Sequence, residues 1–393
     1  MSHLIKFRIN GLAGRKEPLE WEFNRHTNVF FGLNGCGKTS VLKILDSAMR
    51  GDASLLMRVP FTSAAVDIYS ISYKRIFQRT ITMLRSGEAI FEESSGGKLD
   101  EATLLLRSRH VTEKLKWKSS PRIKGATATS WAHQYLPTSR LILGRPDAVS
   151  ADWANLIPSD RPPVSEEQVD LFFARSVERL WKDYTSELLA RIGKAQEAGL
   201  ASILRAVLAP KAASSKTHKA GLNSHQAYER MKKFVVRQGS PQLLPNEKRF
   251  KARYDENLTL RSVVLDINKV EKDIEEAGAP RRQVEEIVKG LFSGGKTATF
   301  TDQTIEIKSA NGSSIGIASL SSGEKHLLMM LVETLLAGES TIIIDEPEIS
   351  MHVDWQKCLV HTMRVLNPHA QIVIATHSPE IMADVDDALI LRM

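Results

Sequence analysis

Apolar and polar positions alternate along the first thirty residues. Leu4, Lys6 and Arg8 fall on one face and Ile5, Phe7 and Ile9 on the other, the two-residue period of a β-strand. Gly11-Leu-Ala-Gly14 interrupts the run as a turn. Leu19 to Phe23 resumes it, and Asn28 to Phe31 has the short apolar character of a buried strand. Beyond a glycine-rich loop that opens at Gly32 the period lengthens. Val41, Leu42, Leu45 and Ala48 recur at helical spacing over Thr39 to Met49. Alternation returns over residues 64–93, where Val66, Ile68, Ile76, Ile81, Met83 and Ile90-Phe91 predict an antiparallel meander. Residues 119–130 are rich in Ser, Thr, Gly and Lys and read as a loop, and Tyr135 to Leu143 reads as a returning strand.

Helical periodicity dominates from 165 to about 292. Ser165-Glu-Glu-Gln168, after Pro162-Pro163, has the form of a capping box, in which side chains satisfy free backbone N–H groups. Val169, Phe173, Val177, Leu180, Trp181 and Tyr184 then continue as one apolar stripe to Ile192. Lys211 to His225 is Ala-, Ser- and Lys-rich and reads as a loop. Gly278-Ala-Pro280 precedes a last helix marked by Val284, Ile287, Val288 and Leu291. From 297 the pattern switches back: Thr304 to Lys308 is a strand, Gly323 to Leu336 a helix and Thr341 to Ile344 a buried strand. Residues 353–366 are helical, and Gln371 to Ala375 and Ala388 to Leu391 are further strands. Strands and helices alternating at both ends, with helices between, predict an α/β protein. Residues 1–160 and 297–393 form two halves of one head with a mixed sheet and an antiparallel β subdomain. Residues 161–296 form an inserted helical lobe.

Bulk properties narrow the class further. The 393 residues suffice for a large core, and 42% apolar and 25% charged residues are ordinary for a globular chain. No apolar run approaches the ~18 residues of a membrane-spanning helix, and the first residues hold no signal-peptide core, so no membrane association is expected. The two cysteines, Cys36 and Cys358, form no disulfide framework and no metal-type spacing, which points to a reducing, cytoplasmic compartment. The net charge of +7 is unevenly spread. Arg205 to Arg253 contains 12 Lys/Arg against Glu229 and Glu247, and Arg107 to Lys124 contains seven against Glu113. Such blocks bind nucleic acid or an acidic protein, or form a solvated surface.

Four motifs carry chemistry. Gly32-Leu-Asn34-Gly35-Cys36-Gly37-Lys38-Thr39, followed by Ser40, has every required position of a phosphate-binding loop, with a strand before it and a helix after. Its N–H groups would wrap phosphates, Lys38 would neutralise the outer ones, and the Thr39 hydroxyl would bind Mg²⁺. Thr341-Ile-Ile-Ile-Asp345-Glu346 is an apolar strand ending in two acids, Asp345 for the metal and Glu346 to polarise an attacking water. Leu320-Ser321-Ser322-Gly323-Glu324, 21 residues before Asp345, opens a helix with small residues that let a phosphate approach. Ala375-Thr-His377-Ser378 follows the next buried strand.

In order and spacing these motifs resemble the ABC class of ATPases. Ser321 to Glu324 is similar to its signature, with Ser322 in place of Gly and Glu324 in place of Gln, and His377 resembles its switch histidine. The resemblance implies ATP and Mg²⁺ as ligands and a homodimer in which Ser321 and Gly323 cap the partner's nucleotide. Asp345-Glu-Pro-Glu-Ile-Ser-Met-His352 and Ala375-Thr-His-Ser-Pro-Glu-Ile381 narrow it to the OLD-like group, related to the RecF and SMC families. His352 stands where the wider class has an aspartate, and Thr138 and Ser139 fall where a Q-loop glutamine is expected. OLD proteins continue into a Toprim nuclease domain, whereas this chain ends 16 residues after His377, so no nuclease in cis is expected. A stand-alone OLD-like ATPase resembles the ATPase subunit of PARIS- or Septu-type anti-phage systems, whose effector is a separate Toprim or HNH nuclease. The alternative is a RecF/SMC-like repair or chromosome-maintenance ATPase that binds DNA, and a transporter subunit comes third.

Overall fold

Nine residues, Ser2–Asn10, form β1. It pairs with β2 (Leu19–Glu22) on one side and, after β3 (Thr27–Phe31) and helix α1 (Lys38–Arg50), with β4 (Ser63–Ser70) on the other. The register of β1 against β4 shifts between Leu4 and Lys6. This bulge brings Leu4 onto the buried face with Phe7 and Ile9 and moves Ile5 off it, against the strict alternation expected from the sequence. The computed structural model describes residues 2–83, 116–121, 131–137, 165–208, 222–237, 239, 241–292 and 295–393.

Strand β5 (Arg75–Thr82) extends the meander and β6 (Lys118–Ser120) closes it, giving an antiparallel sheet of order β2-β1-β4-β5-β6. Ser119 and Ser120 are thus strand residues rather than the start of a loop, because β5 offers its free edge at Gln78 to Thr80. The strand expected around Ile90 lies outside the described residues, as does most of the 119–130 loop. Strand β7 (His133–Leu136) is shorter than expected, and residues 138–143 are also outside the described set.

Helix α2 (Glu166–Leu208) opens on the expected box: the Gln168 N–H donates to Ser165 Oγ at 3.3 Å and the Ser165 N–H to Gln168 Oε1 at 3.1 Å. Next come α3 (Ser224–Arg237), α4 (Glu247–Glu256) and α5 (Leu258–Leu291). Ser224 and His225 belong to α3, because Asn223 accepts the Gln226 N–H at 2.8 Å and starts the helix there; 209–221 are outside the described residues. Helix α5 runs through Pro280, where a new helix was expected to begin. Proline removes one helical donor there, and the Arg282 guanidinium donates to the carbonyl of Glu275, seven residues earlier, at 3.0 Å.

The remaining elements are β8 (Thr297–Phe300), β9 (Ile305–Lys308) and β10 (Ser314–Ile315), a small antiparallel sheet, then α6 (Ser322–Leu336) and β11 (Thr341–Asp345). Helix α7 (Val353–Leu366), β12 (Gln371–Thr376), α8 (Pro379–Met382) and β13 (Ile390–Arg392) end the chain. Ala388 and Leu389 form a 3-10 turn rather than strand, since Asp386 caps them by accepting the Ala388 N–H at 2.9 Å.

The second large sheet is parallel throughout, in the order β13-β3-β12-β11-β7. Residues 182–286 with 302–304 form one compact unit and the rest of the chain another. In the larger unit Phe7, Phe30, Leu42, Ile44, Ile343 and Val373 share one core, which joins the antiparallel sheet, α1 and the parallel sheet. Gln371 links the two sheets in polar terms as well. Its amide donates to the carbonyls of Leu4 and Asn24, both at 2.9 Å, and accepts from the Leu4 N–H at 2.8 Å and the Thr341 hydroxyl at 2.9 Å. The helical unit has its own small core of Ala227, Phe250, Tyr254 and Val264. The fold is α/β, with an antiparallel and a parallel five-stranded sheet in the larger unit and helices dominating the smaller.

Candidate functional site

Parallel pairing sets the site. Asp345 lies opposite Ala375, and Ala375 opposite Phe30, so β11, β12 and β3 end level with one another. The loops that leave those ends carry Glu346, His377 and Gly32 to Gly37. In an open parallel sheet, the carboxyl ends of the strands are where ligands bind.

The glycine loop spans β3 to α1, and its backbone must turn sharply to start the helix. Gly37 does so as the N-cap at φ 104, a conformation that side chains with a Cβ rarely adopt. The Cys36 N–H donates to the Leu33 carbonyl at 3.3 Å. Asn34 and Gly35 are exposed, Gly32 is buried, and Ser40 is half-buried in the first turn of α1. The Lys38 ammonium is buried over the loop and donates to the Gly32 carbonyl at 2.7 Å and the Leu33 carbonyl at 3.1 Å. Behind the helix, buried Arg79 donates to the Ala48 carbonyl and lies 4.1 Å over the Trp131 ring, which anchors the C-terminal end of α1.

The Thr39 hydroxyl donates to Asp345 Oδ1 at 3.1 Å, joining residues 306 positions apart. Burial pushes the Asp345 carboxyl up to about 6; the Thr39 hydrogen bond opposes the rise, the Glu346 charge adds to it, and Lys43 and Lys38 oppose it. Glu346 follows with a left-handed backbone, φ 52, uncommon for a residue with a Cβ, and its N–H donates to the Ala375 carbonyl at 2.8 Å. His377 Nδ1 stands 3.8 Å from Glu346 Oε1 and 3.0 Å from Glu348 Oε1. The structure thus brings Lys38, Thr39, Asp345, Glu346 and His377 to one sheet end.

Ser321 to Glu324 form the capped start of α6. The Glu324 N–H donates to Ser321 Oγ at 3.3 Å, and the Ser321 N–H donates to the Glu324 carboxylate at 2.9 Å. Burial raises the Glu324 carboxyl, but Lys296 at 2.8 Å and the two Ser321 donors outweigh it and hold the group below the usual carboxylate range. Gly323 packs closely: a Cβ there would lie 2.4 Å from the Ser350 carbonyl oxygen. Ser322 is exposed. Among the described residues no hydrogen bond or ion pair joins Ser321–Glu324 to residues 32–40 of the same chain. Thr138 and Ser139 lie outside the described residues.

Sequence reading missed Glu348 and Gln356 as site residues. Glu348 Oε1 accepts from the Thr376 hydroxyl at 2.7 Å, the His377 N–H at 2.8 Å and the Ser378 N–H at 3.2 Å. Gln356 accepts from the Ser378 hydroxyl at 2.7 Å and donates to the Met351 carbonyl at 2.9 Å. Both partners of the His377 loop lie at least 20 residues away in sequence. The only local signal was the acid at the fourth position of Asp-Glu-Pro-Glu.

Residues 209–383, less than half of the chain, match the family described as "AAA domain, putative AbiEii toxin, Type IV TA system". This range holds Asp345, Glu346, His377 and Ser321–Glu324 but not the glycine loop. The chain is 32% identical over 88 residues to the "Retron Vc95 probable ATPase" of Vibrio cholerae serotype O1 biovar El Tor, covering 19% of this chain and 17% of that protein. It is 27% identical over 89 residues to the "Retron Ec83 probable ATPase" of Escherichia coli, covering 19% and 16%. It thus spans about a sixth of each of these relatives. Among solved structures, an Smc head domain bound to the C-terminal domain of ScpA from Pyrococcus furiosus aligns with TM-score 0.41 and 14% identity over 98% of this chain and 92% of that one. An SMC head domain from Thermotoga maritima aligns with TM-score 0.39 and 10% identity over 97% and 91%.

Proposed function

We propose that this chain is an ATP-binding and ATP-hydrolysing switch protein. The observation that carries the reading is the Thr39–Asp345 hydrogen bond of 3.1 Å, which ties the glycine loop to the acidic strand end, with Glu346 and His377 beside it. The loop N–H groups and Lys38 bind the phosphates of ATP. Thr39 and Asp345 are the hard oxygen donors that would hold Mg²⁺, which supplies charge neutralisation on the phosphates when bound. Glu346 accepts a proton from the attacking water. His377 donates a hydrogen bond to the transferring phosphoryl group. Two copies assemble head to tail, and Ser321 and Gly323 of one cap the nucleotide held by Lys38 of the other. Lys38→Ala removes the fixed cation and lowers ATP turnover at least ~100-fold. Glu346→Gln retains nucleotide but loses turnover by a similar factor, roughly 100-fold. Phosphate release and nucleotide affinity test both, and rapid hydrolysis by the Glu346 variant rejects the assignment.

The biological reading is a subunit of a bacterial anti-phage system that holds or releases a separate toxic effector, such as a Toprim or HNH nuclease. It is supported by the similarity to the two retron ATPases and by the match of residues 209–383 to the family described as "AAA domain, putative AbiEii toxin, Type IV TA system". Phage plating on cells that carry the chain with its neighbouring genes tests it: protection is lost with Lys38→Ala, and absence of protection in wild type rejects it. A repair-type, DNA-binding reading is favoured by Lys232 and Lys233 on α3 and Lys248, Arg249 and Arg253 on α4, which are exposed and form no ion pair among the described residues. Under that reading duplex affinity falls steeply with salt, by about 0.9 log units per log unit of salt for each phosphate neutralised. Under the defence reading duplex binding is weak at physiological salt. A salt titration of wild type and a Lys232/Lys233 charge-reversed variant separates the two.

A further inference from the structure

Residues 346–352 cross from the end of β11 to the start of α7 without helix or strand. Three consecutive carbonyls of this segment are met by groups outside it. The Ile349 carbonyl accepts from His326 Nδ1 at 2.8 Å, and the Met351 carbonyl accepts from the Gln356 amide at 2.9 Å. Between them the Ser350 carbonyl packs against Gly323. Ser350 itself is left-handed, at φ 61, a backbone state that persists where the surroundings enforce it. His326 and Gly323 both belong to α6. Gln356 reaches the Ser378 hydroxyl with its other end at 2.7 Å, and Glu348 accepts from the Thr376 hydroxyl and the N–H groups of His377 and Ser378. The segment is therefore gripped by the start of α6 on one side and by the His377 loop on the other.

On the α6 side the grip depends on one polar side chain. His326 is 3% exposed and is followed along the helix by buried Leu327, Leu328, Met329 and Met330. Burial holds its imidazole below the ordinary histidine range; the Ile349 hydrogen bond opposes the fall and the Lys325 charge adds to it. The ring is thus neutral, and because a carbonyl only accepts, its single proton sits on Nδ1. Packing alone would be served by an apolar side chain without the cost of burying a polar ring. The polar ring is explained by the carbonyl it holds, 23 residues away in sequence. Under the proposed function Ser321 and Gly323 cap the partner's nucleotide while His377 acts on the chain's own, so both must be placed together when the dimer closes.

We propose that His326 is a positioning residue that fastens residues 346–352 to the start of α6 and so holds the Ser321–Gly323 cap and the His377 loop in one fixed relation. This inference rests on the nucleotide reading of the site, but it has a readout that does not depend on hydrolysis. Among the described residues no hydrogen bond or ion pair joins His326 to residues 376–378, so an effect on that loop must pass through the segment. His326→Leu fills the site and removes the donor. It raises hydrogen exchange at the His377 and Ser378 N–H groups about tenfold in the nucleotide-free chain, as local opening does. It lowers kcat for ATP roughly tenfold, as loss of an orienting outer partner does, with KM for ATP within about twofold. His326→Asn keeps an N–H near the Nδ1 position and restores kcat and exchange to within about threefold of wild type, whereas His326→Gln carries its N–H further out and behaves as Leu does. Unchanged exchange at His377 and Ser378 in the Leu variant, wild-type kcat in it, or equal kcat in the Asn and Gln variants would overturn the proposal. A folding defect in the Leu variant leaves the Asn and Gln comparison decisive. A wild-type chain that hydrolyses no ATP rejects the nucleotide reading, while exchange at His377 and Ser378 still decides this one.

Discussion

Asp345 shows how one residue can be held in an unfavourable state. Burial pushes its carboxyl up to about 6 from the 3.8 of an ordinary aspartate. Between those values the folded chain binds more protons than the unfolded one. The contribution of Asp345 to stability therefore falls as pH rises from about 4 to about 6 and stays low above that. The shift corresponds to at most about 3 kcal/mol. Asp345→Asn removes the charge and keeps the size. In chelator and without nucleotide, the Asn variant melts above wild type at about pH 7.5, and the gap narrows toward pH 4. Added Mg²⁺ with nucleotide raises the melting temperature of wild type by more than that of the variant, which keeps the loop and Lys38 but loses a metal ligand. An Asn variant that melts no higher than wild type at neutral pH would reject this account. Glu346 pays a related backbone penalty at φ 52, of the kind that persists where surrounding structure enforces it.

At the scale of elements, the start of α6 is fixed twice. The Ser321–Glu324 box satisfies its free N–H groups, and Gly323 lets it approach the Ser350 carbonyl. Gly-to-Ala in a helix ordinarily stabilises by up to about 1 kcal/mol. Here the added Cβ meets a backbone oxygen at 2.4 Å, which cannot rotate away as a side chain would. Gly323→Ala accordingly destabilises, by about 1–3 kcal/mol in denaturant melts. A neutral or stabilised variant would show that the segment around Ser350 yields. That segment leads into α7 and carries His352, whose imidazole caps α7 by accepting the Asp354 N–H at 3.3 Å. His352 thus serves α7 as its N-cap.

At the scale of the whole molecule, the proposed function requires that each site be shared between two copies. In a two-fold dimer, mixing Lys38→Ala with Ser321→Arg subunits leaves roughly one working site per mixed dimer, because each site takes one residue from each copy. ATPase activity measured on the mixture, with subunit exchange demonstrated by labelled chains, tests it. No recovery despite exchange would reject the shared site. Ser321→Arg also removes the α6 cap, at about 1 kcal/mol, so its melting curve is recorded beside its activity.

The sequence by itself determined the motifs and their local settings. The glycine loop sits between β3 and α1, the acid pair at the end of β11 and His377 after β12, because apolar runs of strand length and capped helical repeats are local signals. The Ser165 box was legible for the same reason: it acts within four residues. Tertiary structure alone decided the rest. The β1 bulge that buries Leu4 depends on its register with β4, which no property of β1 specifies. Helix α5 continues through Pro280 although the local signal says break. The helical stabilisation of a long packed element exceeds the loss of one hydrogen bond. Gln371 reads as an ordinary strand start, yet its amide joins two sheets through Leu4, 367 residues away in sequence. Glu348 has no assigned role in the sequence, and becomes the centre of the His377 loop only when β11 and β12 pair in register. For Gln371 and Glu348 the deciding partners are distant along the chain, and only burial beside them selects which hydrogen bonds these side chains make.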